Sequence, residues 1–131
     1  MNLLLDTTVL VDALRAREHR RVLLAELIEA DHHLTISAVT LAEVYAGLRA
    51  GEEAKVALLL AQFYCFPVDR EIAKRAGLLR NAESRQGRTV SLADAMIAAT
   101  ALEHEQTLVT DNRRHFLHTG VQLLAVSDWT S

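Results

Sequence analysis

The feature that most constrains the fold is an apolar run near the start of the chain that stops abruptly at a carboxylate. Three consecutive leucines at positions 3–5 are followed by Asp6, and Thr7 and Thr8 come next. A short, uninterrupted apolar run is typical of a strand covered on both faces, as in a parallel sheet. Asp6 would then lie at the carboxyl end of the strand, the edge where open α/β sheets bind ligands. Thr7 or Thr8 is predicted to cap a helix that follows.

The rest of the chain alternates between helical and strand-like patterns. Apolar residues recur at helical spacing over residues 20–29, 52–63 and 69–82, and short strands are predicted at 34–37, 66–68, 108–110 and 121–126. Helices between strands act as crossovers, so the sheet should be largely parallel. The chain has 131 residues, half of them apolar, with only five Gly and one Pro, which predicts a single α/β domain over residues 1–131.

Two acidic residues, Glu43 and Asp94, stand near predicted helix starts. Glu43 follows Thr40 by three residues, a spacing that fits a capping box in which the glutamate bonds the cap. Ser37 can equally be the cap, and Glu43 would then lie a full turn inside the helix with its carboxylate free. Asp94 follows Ser91 at the capping-box spacing, so helix capping alone also accounts for this residue.

Acidic positions nevertheless converge on one edge of the predicted sheet. Asp6 and Asp111 follow predicted strands, and Glu43 and Asp94 lie near the starts of crossover helices. The carboxyl ends of parallel strands and the amino ends of these helices meet at the same edge. Two unit charges about 4 Å apart repel by roughly 4 kcal/mol at an effective dielectric constant of about 20, so such a cluster needs a cation. Oxygen ligands without convergent histidine or cysteine favour Mg²⁺ or Mn²⁺.

Basic side chains are interleaved with acids along the chain. A formal net charge of −3 argues against a continuous basic surface for nucleic acid. Local phosphate contacts remain possible, and the candidates are Arg85, Arg88, Arg113 and Arg114.

Two further features concern location and association. The single cysteine cannot form an internal disulfide, and no stretch of about 18 apolar residues occurs, which predicts a cytoplasmic protein without a membrane span. The predicted helix over residues 52–63 carries more apolar surface than one core-facing stripe requires. This excess indicates a partner surface or a homodimer, although a fully buried helix would explain it equally well.

Four short motifs carry the acidic positions. They are L-D-T-T-V-L at 5–10, S-A-V-T-L-A-E at 37–43, L-A-D-A-M-I-A-A at 92–99 and L-V-T-D-N at 108–112, with Phe116 beyond. In this order and spacing the chain resembles the PIN-domain ribonucleases, and within them the VapC-type toxins of prokaryotic toxin–antitoxin pairs. The resemblance implies a PIN-like three-layer fold with a largely parallel sheet flanked by helices. It also implies a metal-dependent endoribonuclease that leaves 5′-phosphate and 3′-hydroxyl ends, and a cognate antitoxin of a type II system.

The resemblance also implies roles for individual residues. Asp6, Glu43 and Asp94 take the three acidic positions, with Thr7 or Thr8 as the supporting hydroxyl. Asp6 and Asp94 would hold Mg²⁺ directly or through water, and Glu43 would orient its water shell. The ion would lower the pKa of the attacking water and neutralise charge on the phosphate.

The chain departs from the family pattern at the fourth site position. In the family this position lies two residues after the threonine of the strand, which is Asn112 here, with Asp111 in between. Either side chain could contact the metal ion or its water. A neutral Asn oxygen would weaken a second metal site and favour a single ion.

Two other functions are compatible with parts of the sequence. A phosphatase of the haloacid dehalogenase type also begins with a strand that ends in an aspartate motif, but Thr8 replaces its second aspartate. A PIN-like RNA-binding module that has lost catalysis is the alternative that is not an enzyme. Retention of Asp6, Glu43 and Asp94 argues against such a loss.

Overall fold

The centre of the fold is a five-stranded sheet in which every neighbouring pair is parallel. The computed structural model describes residues 1–15 and 18–125. The strands are β1 (Asn2–Leu5), β2 (His33–Ser37), β3 (Tyr64–Phe66), β4 (Thr107–Thr110) and β5 (Leu123–Ala125), arranged in the order β3-β2-β1-β4-β5. The predicted α/β class and the largely parallel sheet are confirmed.

Helices cover both faces of this sheet. They are α1 (Thr7–Leu14), α2 (Glu18–Glu29), α3 (Ala38–Ala46), α4 (Glu53–Leu60), α5 (Arg70–Arg85) and α6 (Leu92–Glu103), and a short 3-10 helix spans Arg113–His115. Within the described residues, no helix is long and apolar enough to cross a lipid bilayer.

The apolar run of β1 supplies both halves of the core. Leu3 and Leu5 are fully buried in a cluster with side chains of α1, α2, α3 and α4. Leu4, between them, is buried on the opposite face with Ile97 of α6 and Phe116. Alternate residues of a strand point to opposite faces, so a continuous apolar run is what a strand between two helical layers requires. The burial of β1 on both faces, predicted from these leucines, is confirmed, and so is the three-layer arrangement that the family resemblance implied.

The ends of the central strands lie side by side. Leu5 of β1 pairs with Val109 of β4, and Leu4 pairs with Thr35 of β2. Because the three strands are parallel and nearly in register, the residues that follow them meet at one edge of the sheet. The candidate site is built at this edge.

The cap of α1 differs from the prediction. Asp6 has an extended backbone, and its own side chain accepts a hydrogen bond from the Thr7 amide at 2.8 Å. Thr7 and Thr8 lie inside the helix, so the prediction that one of them is the cap was wrong. The sequence contains three acceptable capping residues in a row, and the end of β1 selects the first.

The cap of α3 settles the alternative for Glu43. Ser37 accepts a hydrogen bond from the Val39 amide at 3.1 Å and caps the helix. Thr40 is buried inside the helix and is therefore not the cap. Glu43 lies beyond the first turn, which leaves its carboxylate free for another partner.

The edge strand β3 lies two residues earlier than predicted. It ends at Phe66, which pairs with Ser37, whereas the predicted strand began at Phe66 and ran to residue 68. Pro67 follows directly and has no amide hydrogen to continue the pairing with β2. The last strand lies within the predicted range 121–126, of which residue 126 is outside the described residues.

The helix with excess apolar surface is only partly buried. Val56 and Leu60 of α4 face the core, whereas the Leu58 side chain is 74% exposed. The alternative of a fully buried helix is therefore wrong. Homodimer formation stays a prediction.

An ion pair joins the end of α5 to the loop that follows it. Glu83 is almost fully buried, and its two carboxylate oxygens accept hydrogen bonds from Arg88 Nε at 2.7 Å and Arg88 Nη2 at 3.2 Å. The hydrogen bond from Arg88 is the main cause that lowers the pKa of Glu83 below 4.5, the ordinary value for Glu. Such a two-point contact holds the loop geometrically as well as electrostatically.

The lowered pKa predicts a contribution of this ion pair to acid stability. A carboxyl with a lowered folded-state pKa stabilises the protein above its unfolded-state pKa, and that stabilisation is lost as pH falls through the folded-state value. We expect Glu83→Gln to lower the free energy of unfolding at pH 7 and to flatten its decrease below pH 4.5. Urea denaturation across this pH range measures both effects.

A matched control is Glu103→Gln, which removes an exposed carboxylate paired with Arg75. Exposed pairs contribute little, so this variant should follow the native curve. Identical acid curves for native protein and Glu83→Gln would contradict the prediction.

Candidate active site

Asp6 is the buried centre of the site at the carboxyl edge of the sheet. Its side chain is only 3% exposed. Oδ1 accepts a hydrogen bond from the Thr7 amide at 2.8 Å, and Oδ2 accepts one from Thr110 Oγ1 at 2.6 Å. The carboxylate is therefore held from both sides, by the start of α1 and by the end of β4.

Thr110 connects Asp6 to the loop after β4. Its fully buried hydroxyl donates to Asp6 and accepts a hydrogen bond from the Asn112 amide at 2.9 Å. The Thr110 hydroxyl thus donates its proton to the Asp6 carboxylate, while its oxygen accepts from the backbone amide of Asn112, a candidate for the fourth site position. Nothing in the local sequence pattern singled out Thr110, because its partner is distant in the chain.

Glu43 reaches the site through Thr7. Thr7 Oγ1 donates to Glu43 Oε1 at 2.7 Å and lies 3.0 Å from Thr40 Oγ1, whose hydroxyl can donate to it. Glu43 itself is exposed on α3. This hydroxyl bridge ties α1 to α3 and directs the glutamate towards the first turn of α1, next to Asp6.

Asp94 lies in the first turn of α6. Its amide donates to Ser91 Oγ at 3.0 Å, which confirms Ser91 as the cap of α6. Its carboxylate is partly buried, and Oδ2 lies 3.1 Å from His115 Nδ1. The cap Ser91 therefore binds the backbone of Asp94, and the Asp94 carboxylate is left to contribute to the candidate site. The sequence prediction did not include His115, and its position just after the Asp111-Asn112 pair is the only local signal for it.

The electrostatics of Asp6 link the three acids. Burial is the largest cause that raises the pKa of Asp6 above its ordinary value of 3.8, and the negative charges of Asp94 and Glu43 raise it further. The hydrogen bonds from Thr110 and from the Thr7 amide act in the opposite direction. Asp94 and Glu43 are thus close enough for their charges to act on Asp6.

The acids do not form a complete coordination shell by themselves. Over residues 1–15 and 18–125, no group of three or more His, Cys, Asp or Glu side chains is arranged to hold a metal ion. Mg²⁺ commonly keeps several waters and takes only one or two carboxylates from the protein. The donor set of Asp6, Asp94 and Glu43 would suit a hydrated hard cation and not a closed protein cage.

Comparison with known proteins identifies the family. A family model described as PIN domain matches residues 3–121. The chain belongs to the PIN-domain family. Ribonuclease VapC19 of Mycobacterium tuberculosis is 35% identical over 113 residues, which cover 86% of this chain and 90% of that protein. Ribonuclease VapC10 of the same organism is 37% identical over 114 residues, which cover 87% and 85%.

Solved structures agree with this assignment. A chain in the toxin–antitoxin complex from Klebsiella pneumoniae matches this PIN domain with a TM-score of 0.78 and 27% sequence identity. The match covers 95% of this chain and 97% of that chain. The predicted PIN-like fold is therefore confirmed over nearly the whole length of both proteins.

The remaining site candidates of the PIN domain lie around the acids. Thr8 Oγ1 is buried and, in the described part of the chain, has no hydrogen-bond partner. Asp111 is exposed and Asn112 is partly buried, and both line a groove with the 3-10 helix. The choice between Asp111 and Asn112 as the fourth site residue stays open, because only the backbone of Asn112 is tied to Thr110.

The four candidate arginines differ in their surroundings. Arg113 and Arg114 lie on the 3-10 helix, are exposed, and line the groove next to Asn112. Arg85 is exposed at the end of α5. Arg88 is already paired with Glu83, which neutralises much of its charge. Arg113 and Arg114 are therefore the two of these four candidates that line the groove beside Asn112.

Removing the Thr110 hydroxyl tests the central hydrogen bonds of the PIN domain. In Thr110→Val the Asp6 carboxylate loses a donor and the Asn112 amide loses an acceptor in a buried setting. Unsatisfied buried groups cost about 1–3 kcal/mol each, so we expect a loss of that order in the free energy of unfolding, measured in urea. Thr110→Ser keeps the hydroxyl and should lose less. A valine variant as stable as the serine variant would contradict this account.

Proposed function

We propose that this PIN domain is an Mg²⁺-dependent endoribonuclease that hydrolyses RNA phosphodiester bonds and acts as the toxin of a type II toxin–antitoxin pair. The observation that carries the proposal is the meeting of Asp6, Glu43 and Asp94. They come from α1, α3 and α6 and their flanks, yet the charges of the other two raise the pKa of Asp6. A fold that buries an acid beside two others loses stability unless a cation offsets the repulsion.

The relatives support the same reaction. Two proteins that match most of this chain at 35% and 37% identity are named ribonucleases. The chain similar to this one from Klebsiella pneumoniae was solved in a toxin–antitoxin complex. Membership of the PIN-domain family argues against the haloacid dehalogenase alternative, whose resemblance was limited to the first motif.

The residues present fit a hydrated Mg²⁺ or Mn²⁺ ion. Asp6 and Asp94 would hold it, directly or through water, and Glu43 with Asn112 or Asp111 would orient its waters. When bound, the ion supplies a water of lowered pKa and neutralises charge on the phosphate. The Thr8 hydroxyl, which is buried and has no partner among residues 1–15 and 18–125, is consistent with a further polar group at this edge.

The chain's own groups would then position the RNA. Thr7 holds Glu43 through its hydroxyl, so the exposed glutamate carboxylate would be placed to accept a proton from a water beside Asp6. The guanidinium groups of Arg113 and Arg114 would contact flanking phosphates, with Arg85 farther away. Such contacts position the backbone of the RNA without reading its bases.

Two protein partners complete the proposal. The cognate antitoxin is supported by the toxin–antitoxin complex from Klebsiella pneumoniae. A homodimer is supported by large apolar side chains left exposed on neighbouring helices, Tyr45 of α3 at 38% and Leu58 of α4 at 74%. Exposed apolar side chains of this size are usual at contacts between proteins.

The test uses purified protein and a structured RNA. We expect cleavage with Mg²⁺ or Mn²⁺, no cleavage with a chelator, and products with 5′-phosphate and 3′-hydroxyl ends. Mg²⁺ should also raise the melting temperature, because an ion that binds only the folded state stabilises it. Equal cleavage with metal and with chelator would contradict metal dependence. Tight RNA binding without cleavage under any metal would instead support the module that has lost catalysis.

A further inference from the structure

His115 makes a contact that the sequence pattern did not predict. Its Nδ1 lies 3.1 Å from Asp94 Oδ2, although the two residues belong to different elements, the 3-10 helix after β4 and the first turn of α6. The His115 side chain is 57% exposed. Burial therefore does not force the ring against Asp94, and the contact needs another reason.

The neighbouring residue, Phe116, explains why the His115 side chain lies next to Asp94. Phe116 is 1% exposed and packs with Ile97 and Leu108 beneath the site. This anchor fixes the backbone of the 3-10 helix relative to α6. His115, one residue earlier, is thereby placed above the start of α6 on a rigid support.

The chemistry of the contact is defined by its acceptor. An ionised carboxylate can only accept hydrogen bonds, so His115 must carry a proton on Nδ1 and donate it to Asp94. Because Oδ2 takes this bond, Oδ1 remains available to a cation. Carboxylates that hold metal ions are usually oriented by such hydrogen bonds.

The Asp94 carboxylate depends on its hydrogen bond with His115 more than the Asp6 carboxylate depends on either of the two hydrogen bonds that it accepts. Asp6 has a donor on each carboxylate oxygen, whereas the hydrogen bond that the described part of the chain supplies to the Asp94 carboxylate comes from His115. The Ser91 side chain accepts a hydrogen bond from the Asp94 amide and does not hold the Asp94 carboxylate. Without His115 the Asp94 side chain would be free to rotate away from Asp6.

We propose that His115 is a positioning residue that holds the Asp94 carboxylate for cation binding through its Nδ1–H. The inference rests on the proposed function, because it concerns the same cation. It adds a residue outside the four acidic motifs, and it predicts which ring nitrogen matters.

Two amide substitutions distinguish the ring nitrogens. The asparagine amide can occupy the place of Nδ1 and donate from there, whereas the glutamine amide extends to the place of Nε2. We expect His115→Asn to bind Mn²⁺ with nearly native affinity in calorimetric titration. We expect His115→Gln to lose affinity by about 10-fold or more, the size of loss typical when a supporting contact of a metal site is removed.

Activity provides a second measurement of the same role. The RNA cleavage rate of His115→Gln should fall at low Mg²⁺ and recover as Mg²⁺ is raised, while the KM for RNA stays native. His33→Asn is the matched control, since His33 is exposed at the start of β2, at the other edge of the sheet. It should behave as native protein in both assays.

The outcomes separate this inference from the proposed function. Native protein that neither binds Mn²⁺ nor cleaves RNA would overturn the proposed function and the role of His115 with it. If native protein does both, equal behaviour of His115→Asn and His115→Gln would overturn the role of His115 alone. A raised KM for RNA that added Mg²⁺ does not change would also overturn it, because this indicates direct contact with the RNA.

Discussion

Replacing Asp6 with asparagine is expected to reduce Mg²⁺-dependent RNA cleavage by at least about 100-fold, the upper end of the loss seen when only a supporting contact of a metal site is removed. Asp6 is the most buried acid of the site, at 3% exposure, and both of its oxygens are already held in place. The substitution removes the negative charge while it preserves the size of the side chain. Cleavage of a structured RNA across a range of Mg²⁺ concentrations measures the loss.

Folding of this variant can be checked independently. Asparagine is as good a helix cap as aspartate, so α1 should still begin at the same residue. The melting temperature without metal should show a cooperative transition, and the increase caused by Mg²⁺ should largely disappear. Asp31→Asn is the control, because Asp31 is exposed in the turn before β2 and has a positive φ of 60°, which asparagine tolerates.

Two results of the cleavage assay would contradict the assignment of Asp6. One is cleavage by Asp6→Asn at the rate of the native protein. The other is an equal loss in Asp31→Asn, which would indicate a general effect of removing a negative charge. A folded Asp6→Asn protein that still gains stability from Mg²⁺ would place the cation elsewhere.

The second large effect is expected in the core beneath the site. Phe116→Ala should lower the free energy of unfolding by about 3–5 kcal/mol, as truncation of a buried aromatic side chain does. Phe116 is 1% exposed and fills the space between Leu4, Ile97 and Leu108, so its removal leaves a cavity under the loop after β4. Urea denaturation monitored by circular dichroism measures the difference.

The next residue supplies the control. Leu117 is also a large apolar residue of the same loop, but its side chain is 53% exposed. Leu117→Ala should change the free energy of unfolding by no more than about 0.5 kcal/mol, because surface substitutions are usually within that range. Similar losses in the two variants would show that the loop is not anchored through Phe116.

The elements of the fold were largely predictable because their signals are local. The leucine run of β1 depends only on neighbours in the sequence. The same holds for the cap of α5, where the Asp69 carboxylate accepts a hydrogen bond from the Ile72 amide at 2.9 Å. Local patterns also place strands and helices in alternation, and that alternation implies the parallel sheet.

One wrong prediction and one open alternative arose where several residues satisfied the same local rule. Asp6, Thr7 and Thr8 are all good caps, and the end of β1 decides among them in favour of Asp6. In the same way, Ser37 and Thr40 both suit the start of α3, and the end of β2 selects Ser37. The deciding factor in each case is where the preceding strand stops, which depends on pairing with distant strands.

The convergence of the three acids and the presence of a hydroxyl group beside them could be predicted from the sequence, but two of the groups that hold the acids could not. Asp6, Glu43 and Asp94 lie at strand and helix ends, where the topology alone brings them together. Thr110 and His115 act on acids far away in the chain, and no periodicity or spacing in the sequence records such contacts. The metal ion and the RNA contacts of the arginines stay predictions.

The hydrogen bond between Thr110 and Asp6 also bears on when the protein can become active. It joins residues 104 positions apart, and β4, which carries Thr110, lies between β1 and β5 in the sheet. The ribosome synthesises Asp6 before Thr110, so a growing chain contains the central acid long before it contains the second of the two groups that hold it. The proposed site can therefore assemble only after β4 has been synthesised and has paired with β1.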